Sequence, residues 1–62
     1  MNVTELAIKA AIKREEKNYL DEALSGGQCY AEDRVVRVLY GLLNEKFDYQ
    51  AMIKRYQEGY YR

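Results

Sequence analysis

Histidine, proline and tryptophan are missing from this 62-residue sequence, and cysteine occurs once, at Cys29. A single cysteine cannot form a disulfide within the chain, and without histidine it cannot build a common zinc site. We therefore expect no bound metal and no cofactor. A chain this short buries only about 60% of its unfolded surface, and it often needs a disulfide or a bound metal for added stability. Self-association or a partner protein is the remaining source of extra stability.

Net charge is missing too, because ten basic residues balance ten acidic ones. A neutral chain has no overall attraction to nucleic acid or to a membrane surface. The N-terminal residues contain no long apolar run, so we expect neither a signal peptide nor a transmembrane span. A free cysteine without a secretion signal favours a reducing, cytoplasmic location.

Catalytic groups are scarce as well. The adjacent acidic pairs Glu15-Glu16 and Asp21-Glu22 point in different directions on a helix, so neither pair can act on one substrate atom. Cys29 has no histidine to activate it as a nucleophile. We therefore expect no catalytic residues and no enzymatic activity.

Helical patterns fill most of the chain. The spacing of apolar residues predicts three helices, over residues 3–24, 31–45 and 48–59. Asn2 or Thr4 can cap the first helix, Gly26 can end it in a left-handed conformation, and Asp48 can cap the third. No linker divides the chain. The sequence predicts one all-α domain over residues 1–62, a small bundle of about three helices.

The densest apolar stretch lies in the second helix. Val35, Val38, Leu39 and Leu42 form the centre of a face that covers about half of the cylinder, and Val36 lies at its edge. A surface helix needs a narrower stripe, so we expect this face to contact two neighbours. The sequence thus predicts that a homodimer sharing its central helices completes the bundle, with Val38 buried.

Glu16 interrupts the apolar stripe of the first helix, one turn from both Ile12 and Leu20. Two interpretations stay open: the carboxylate lies at the edge of the stripe and reaches water, or it is partly buried and paired. For the second, we predict a contact with an arginine or tyrosine of another helix, the candidate partners being Arg34, Arg37 or a tyrosine hydroxyl.

Tyrosine is abundant, with seven residues in the chain. Tyrosine combines a large contact area with a polar tip and is enriched in protein interfaces; it also fills the rim of a small core. The candidate partner-binding residues are Tyr49, Tyr56, Tyr60 and Tyr61. They favour a small non-enzymatic interaction or regulatory protein, such as an inhibitor or adaptor, that binds another macromolecule. The identity of the protein partner cannot be read from the sequence.

Nucleic-acid binding is the alternative. The second and third helices are joined by a short connection, as in a helix-turn-helix of a dimeric DNA-binding regulator. The third helix would then be the reader, through Gln50, Lys54, Arg55 and Gln57, which we expect to point away from the core. Neutral net charge and only two central basic residues disfavour this alternative.

Overall fold

The computed structural model describes residues 2–62, which fold into three helices. Helix α1 covers Val3–Leu24, α2 covers Tyr30–Leu42 and α3 covers Tyr49–Gln57. No strand occurs within residues 2–62. The predicted all-α class and three-helix bundle are confirmed, although α2 and α3 end three and two residues before the predicted 45 and 59.

The helix ends follow from local chemistry. The Asn2 side chain accepts a hydrogen bond from the Glu5 backbone N–H at 2.7 Å, and Asp48 accepts one from the Ala51 N–H at 3.2 Å. Each bond satisfies a backbone donor that has no partner inside the helix. Gly26 takes a φ of 81° just after α1, as expected for a residue that closes a helix C-terminus. Both caps and the stop signal are confirmed.

Helices α1 and α2 form an antiparallel pair, with α3 packed beside them. The direction follows from two contacts: Tyr19, late in α1, reaches Asp33 at the start of α2, and Glu16 reaches Tyr40 near its end. The core between the helices is small. Its buried members come from all three helices and from the C-terminal segment: Ile12, Tyr19, Leu20, Val36, Met52 and Tyr61.

The inner face of α2 is not the one that the sequence predicts. Val36 is fully buried, and Tyr40 packs against the core beside it. Val35, Val38 and Leu42 instead lie on the outside, with Val38 59% exposed. The helix is rotated to place Val36 and Tyr40 inward, which leaves Val38 exposed in the single chain; its burial in a homodimer stays a prediction.

None of the helices described between residues 2 and 62 is both long enough and apolar enough to cross a bilayer.

Candidate functional site

The centre of the molecule holds a buried carboxylate. Glu16 is 1% exposed, and both of its oxygens accept hydrogen bonds. Its Oε2 accepts one from the Tyr40 hydroxyl at 2.7 Å and one from Arg55 Nη2 at 2.8 Å. Its Oε1 accepts one from the Tyr61 hydroxyl at 2.7 Å. We call these four residues the Glu16 network.

Further bonds inside the network hold its donors in place. Arg55 Nε donates to the Tyr61 hydroxyl at 3.1 Å, and Nη2 lies 3.3 Å from the Tyr40 hydroxyl. No buried side-chain nitrogen or oxygen in the described part of the chain lacks a partner. The network connects α1, α2, α3 and the C-terminal segment, and therefore fixes the relative positions of all four.

The ionisation of the network follows from its burial. Burial, and next the hydrogen bond to Glu16, raise the pKa of Tyr61 to about 12. The same two causes raise the pKa of Tyr40. For Arg55 burial acts to lower the pKa, but the hydrogen bond to Tyr61 and the charge of Glu16 outweigh it, so its pKa is raised. Both tyrosines therefore stay protonated at neutral pH and donate to the carboxylate.

The sequence prediction for Glu16 is confirmed in part. The carboxylate is buried and contacts the Tyr40 hydroxyl of α2, the Tyr61 hydroxyl of the C-terminal segment and an arginine of α3. That arginine is Arg55, and neither Arg34 nor Arg37. Arg37 instead pairs with Asp33, its neighbour one turn away, at 2.6 Å. That bond, and then the hydrogen bond from Tyr19, lower the pKa of Asp33.

The candidate DNA-reading residues do not form one surface. Gln50, Lys54 and Gln57 are exposed on α3, but the Arg55 guanidinium is turned inward and held by Glu16. The expectation that Arg55 points away from the core is wrong. Lys54 is then the one basic side chain of the four candidates that is free to meet a phosphate, which is few against the several contacts that DNA binding needs.

The candidate tyrosines are also divided. Tyr61 is buried in the Glu16 network, while Tyr49, Tyr56 and Tyr60 are each a little under half exposed. The Tyr60 ring lies edge-on to the Tyr61 ring, and the Lys13 ammonium lies 4.6 Å from the centroid of the Tyr60 ring. Tyr60 faces a cleft beside α1 and the end of α2, whereas Tyr56 faces a different groove.

This second groove, the α1–α3 groove, runs between the C-terminal half of α1 and the end of α3. Its volume is about 410 Å³, within the range of about 300–1,000 Å³ that is typical of binding pockets. Two buried residues, Leu20 and Tyr61, and two exposed residues, Leu24 and Tyr56, line it, with Leu24 66% exposed. The lining also includes three charged side chains: Lys17, Asp21 and Arg62.

Sequence reasoning identified Tyr56 and Tyr61 of this groove but missed its α1 side. The available signal was weak, because Leu20 and Leu24 are four residues apart on the apolar stripe of α1, a spacing typical of core residues. Leu24 is nevertheless 66% exposed, at the last position of α1.

Within residues 2–62, no group of three or more cysteine, aspartate or glutamate side chains is arranged to hold a metal ion. No protein-family model, no curated protein and no solved structure matches this chain.

Proposed function

We propose that this chain is a small non-enzymatic interaction protein that binds another protein through the α1–α3 groove. The observation that carries the proposal is the exposure of Leu24 and Tyr56 in an open groove that Leu20 also lines. Large apolar and aromatic side chains that surround a concave surface are the usual anchors of protein recognition.

The chemistry of the lining suggests what the partner presents. Leu20 and Leu24 suit one or two apolar side chains of a partner, such as those on one face of an amphipathic helix. Lys17 and Arg62 provide positive charge and Asp21 provides negative charge, so they suit a partner segment with charged residues beside its apolar anchors. Such charges act mainly on specificity and on the rate of association.

The Glu16 network supports this function rather than catalysis. Every oxygen of Glu16 is already engaged by a donor of the chain itself. Its role in the proposal is to hold Tyr61, which lines the groove, against α1. A groove that is formed before binding loses less conformational entropy when the partner binds.

A pair of matched variants tests the proposal. Leu24→Gln removes an apolar side chain from the groove, and Leu6→Gln removes the same side chain from an exposed site elsewhere on α1. The two sites are about 27 Å apart along the helix. We expect the Leu24 variant to capture at least fivefold less of a protein partner from a native lysate than the wild type, and the Leu6 variant to match the wild type.

Two results would contradict the proposal. Equal capture by the two leucine variants would mean that the groove is not the binding surface. Loss of capture after nuclease treatment would mean that nucleic acid carries the interaction, which would favour the alternative of a DNA-binding regulator with α3 as reader.

A further inference from the structure

A second surface of the molecule is apolar and uncovered. Ala31, Val35, Val38 and Leu42 are all exposed on the side of α2 that faces away from the core. We call these four residues the α2 outer face. It shares no residue with the α1–α3 groove, so a role for this face goes beyond the proposed function and does not depend on it.

The spacing of this face is that of a coiled-coil seam. Its members follow each other at intervals of four, three and four residues, the pattern that keeps one apolar line directed at a partner helix. A helix in a single-chain bundle needs such a line only on its buried side. Here Val36 and Tyr40 already form the buried side, and the seam is additional.

We propose that a second copy of this chain covers the α2 outer face, with the two α2 helices packed antiparallel about a twofold axis. The axis passes between Val35 and Val38, so each Val35 lies opposite Val38 of the other copy. The same axis places Ala31 opposite Leu42. Each layer then pairs either two medium side chains or a small one with a large one, so the layers have similar volume.

A parallel pair of the same helices is less well matched. It would place Ala31 against Ala31 and Leu42 against Leu42, leaving a gap at one end and crowding the other. It would also place the like ends of the two helix dipoles side by side, whereas an antiparallel pair places opposite ends together.

Charge along the edge of the face favours the antiparallel arrangement too. Helix α2 carries Glu32 and Asp33 in its first turn and no basic residue in its last turn, so no cation of α2 itself lies at the negative end of its dipole. Arg34 is exposed and takes part in neither of the two ion pairs of the described residues. In the antiparallel dimer, Arg34 lies beside the C-terminal end of the other α2.

Gly41 lets the helices approach closely at that point. It flanks the seam opposite Arg34 of the other copy, and a Cβ added there would meet no atom within 4 Å. The missing side chain leaves room for the long stem of Arg34 to lie across the helix. Small residues at helix contacts allow the backbones to come near each other.

The contact between the two α2 helices is small. Each α2 helix has 13 residues and is about 20 Å long. Two helices of that length bury less than the roughly 1,000 Å² that specific, stable interfaces exceed. We therefore expect a weak, reversible dimer whose population rises with protein concentration.

Sedimentation equilibrium of the full chain tests whether the face associates. We expect the average mass to rise from 7.3 kDa toward twice that value as concentration rises from about 10 µM to 1 mM, a range suited to a weak interface. Val38→Asp inserts a charge into the seam twice per dimer and should weaken association at least tenfold. Val3→Asp makes the same change at an exposed valine outside the seam and should leave association unchanged.

Because Val38 is mostly exposed in the single chain, its aspartate variant should remain folded, which the helical circular dichroism signal checks. A mass of 7.3 kDa at all concentrations would overturn the proposal. Equal association by the Val38 and Val3 variants would also overturn it, because the dimer would then use another surface.

Disulfide trapping tests the direction of the helices. In a Cys29→Ser background, one preparation carries Ala31→Cys and a second carries Leu42→Cys, and the two are mixed in a glutathione redox buffer. An antiparallel pair places these positions opposite each other, so we expect the mixed disulfide to exceed the half share that random pairing gives. Two copies of position 31 would be about 16 Å apart along the axis, beyond the roughly 7 Å that a disulfide spans.

The denatured chains provide the random-pairing control. An excess of the two symmetric disulfides over that control would show a parallel pair and overturn the proposed arrangement. A random product distribution under native conditions would overturn it as well, since no specific pairing of the seam would exist.

Discussion

Replacing Glu16 with glutamine keeps the shape of the side chain but removes its charge and one of its acceptor oxygens. In the native protein the two oxygens accept three hydrogen bonds, from Tyr40, Arg55 and Tyr61. If the amide oxygen takes the Oε1 position, the amide NH₂ meets the donor Nη2 of Arg55. If it takes the Oε2 position, the NH₂ meets the Tyr61 hydroxyl, which already accepts a bond from Arg55.

The cost follows from these two arrangements. Each orientation of the amide loses one of the hydrogen bonds that the charged carboxylate accepted, and such a bond is worth roughly 1.5–3 kcal/mol. Either one also leaves the Arg55 charge without its carboxylate, but the Arg55 side chain is 29% exposed, so water compensates part of that loss. We expect Glu16→Gln to lower the free energy of unfolding by about 2–3 kcal/mol, a large part of the roughly 3–5 kcal/mol available to a domain of this size.

Urea unfolding followed by circular dichroism at 222 nm measures this change. At about 4–8 °C per kcal/mol for a domain of this size, the melting temperature should fall by roughly 10–20 °C. The control is Glu15→Gln, the same change at the half-buried neighbour, which forms no ion pair within the described residues and should shift the free energy by less than about 0.5 kcal/mol. A loss for Glu16→Gln no larger than that of the control would refute the reasoning.

A second variant measures how strongly the charges of Glu16 and Arg55 are coupled. Arg55→Gln alone leaves the buried Glu16 charge without its cation and should destabilise strongly. Combined with Glu16→Gln, no unpaired charge remains, so the double variant should lose at least about 1 kcal/mol less than the sum of the two single losses. Additive losses would show that the two charges are not coupled.

Three further changes have outcomes that the structure specifies. The Tyr61 pKa is raised from 10.0 to about 12, so its contribution to stability is present below about pH 10 and lost as pH rises toward 12. In a pH series of urea titrations, the stability of Tyr61→Phe should therefore fall less over this window than that of the wild type. Asp48→Ala removes the cap on the Ala51 N–H and should cost about 1 kcal/mol, whereas Asp48→Asn should restore most of it. Gly26→Ala strains a residue at φ 81° and should lower the melting temperature. Gly41→Ala adds a methyl group in open space inside α2 and should raise the melting temperature by a few degrees. A higher melting temperature for Gly26→Ala than for Gly41→Ala would contradict the backbone argument.

The sequence by itself determined the helices and where they start. Asn2, Gly26 and Asp48 act on backbone groups within a few residues of themselves, and such interactions are readable from local order along the chain. For the same reason the apolar periodicity was enough to place three helices, to within three residues at each end. It was also enough to mark Glu16 as an anomaly in a stripe of apolar residues.

The tertiary structure alone decided which side of α2 faces inward and which arginine pairs with Glu16. The apolar positions of α2 cover about half of the helix, so periodicity favours no single rotation within that range. Turning Val36 and Tyr40 inward brings the Tyr40 hydroxyl onto Glu16 at the expense of exposing Val38. Burying one valine contributes about 1.5–3 kcal/mol, but this rotation buries Val36 in place of Val38. It also adds the Tyr40 hydroxyl to the hydrogen bonds that Arg55 and Tyr61 donate to Glu16. Arg55 is 39 residues away from Glu16 in the chain, and only the packing of three helices brings the two together.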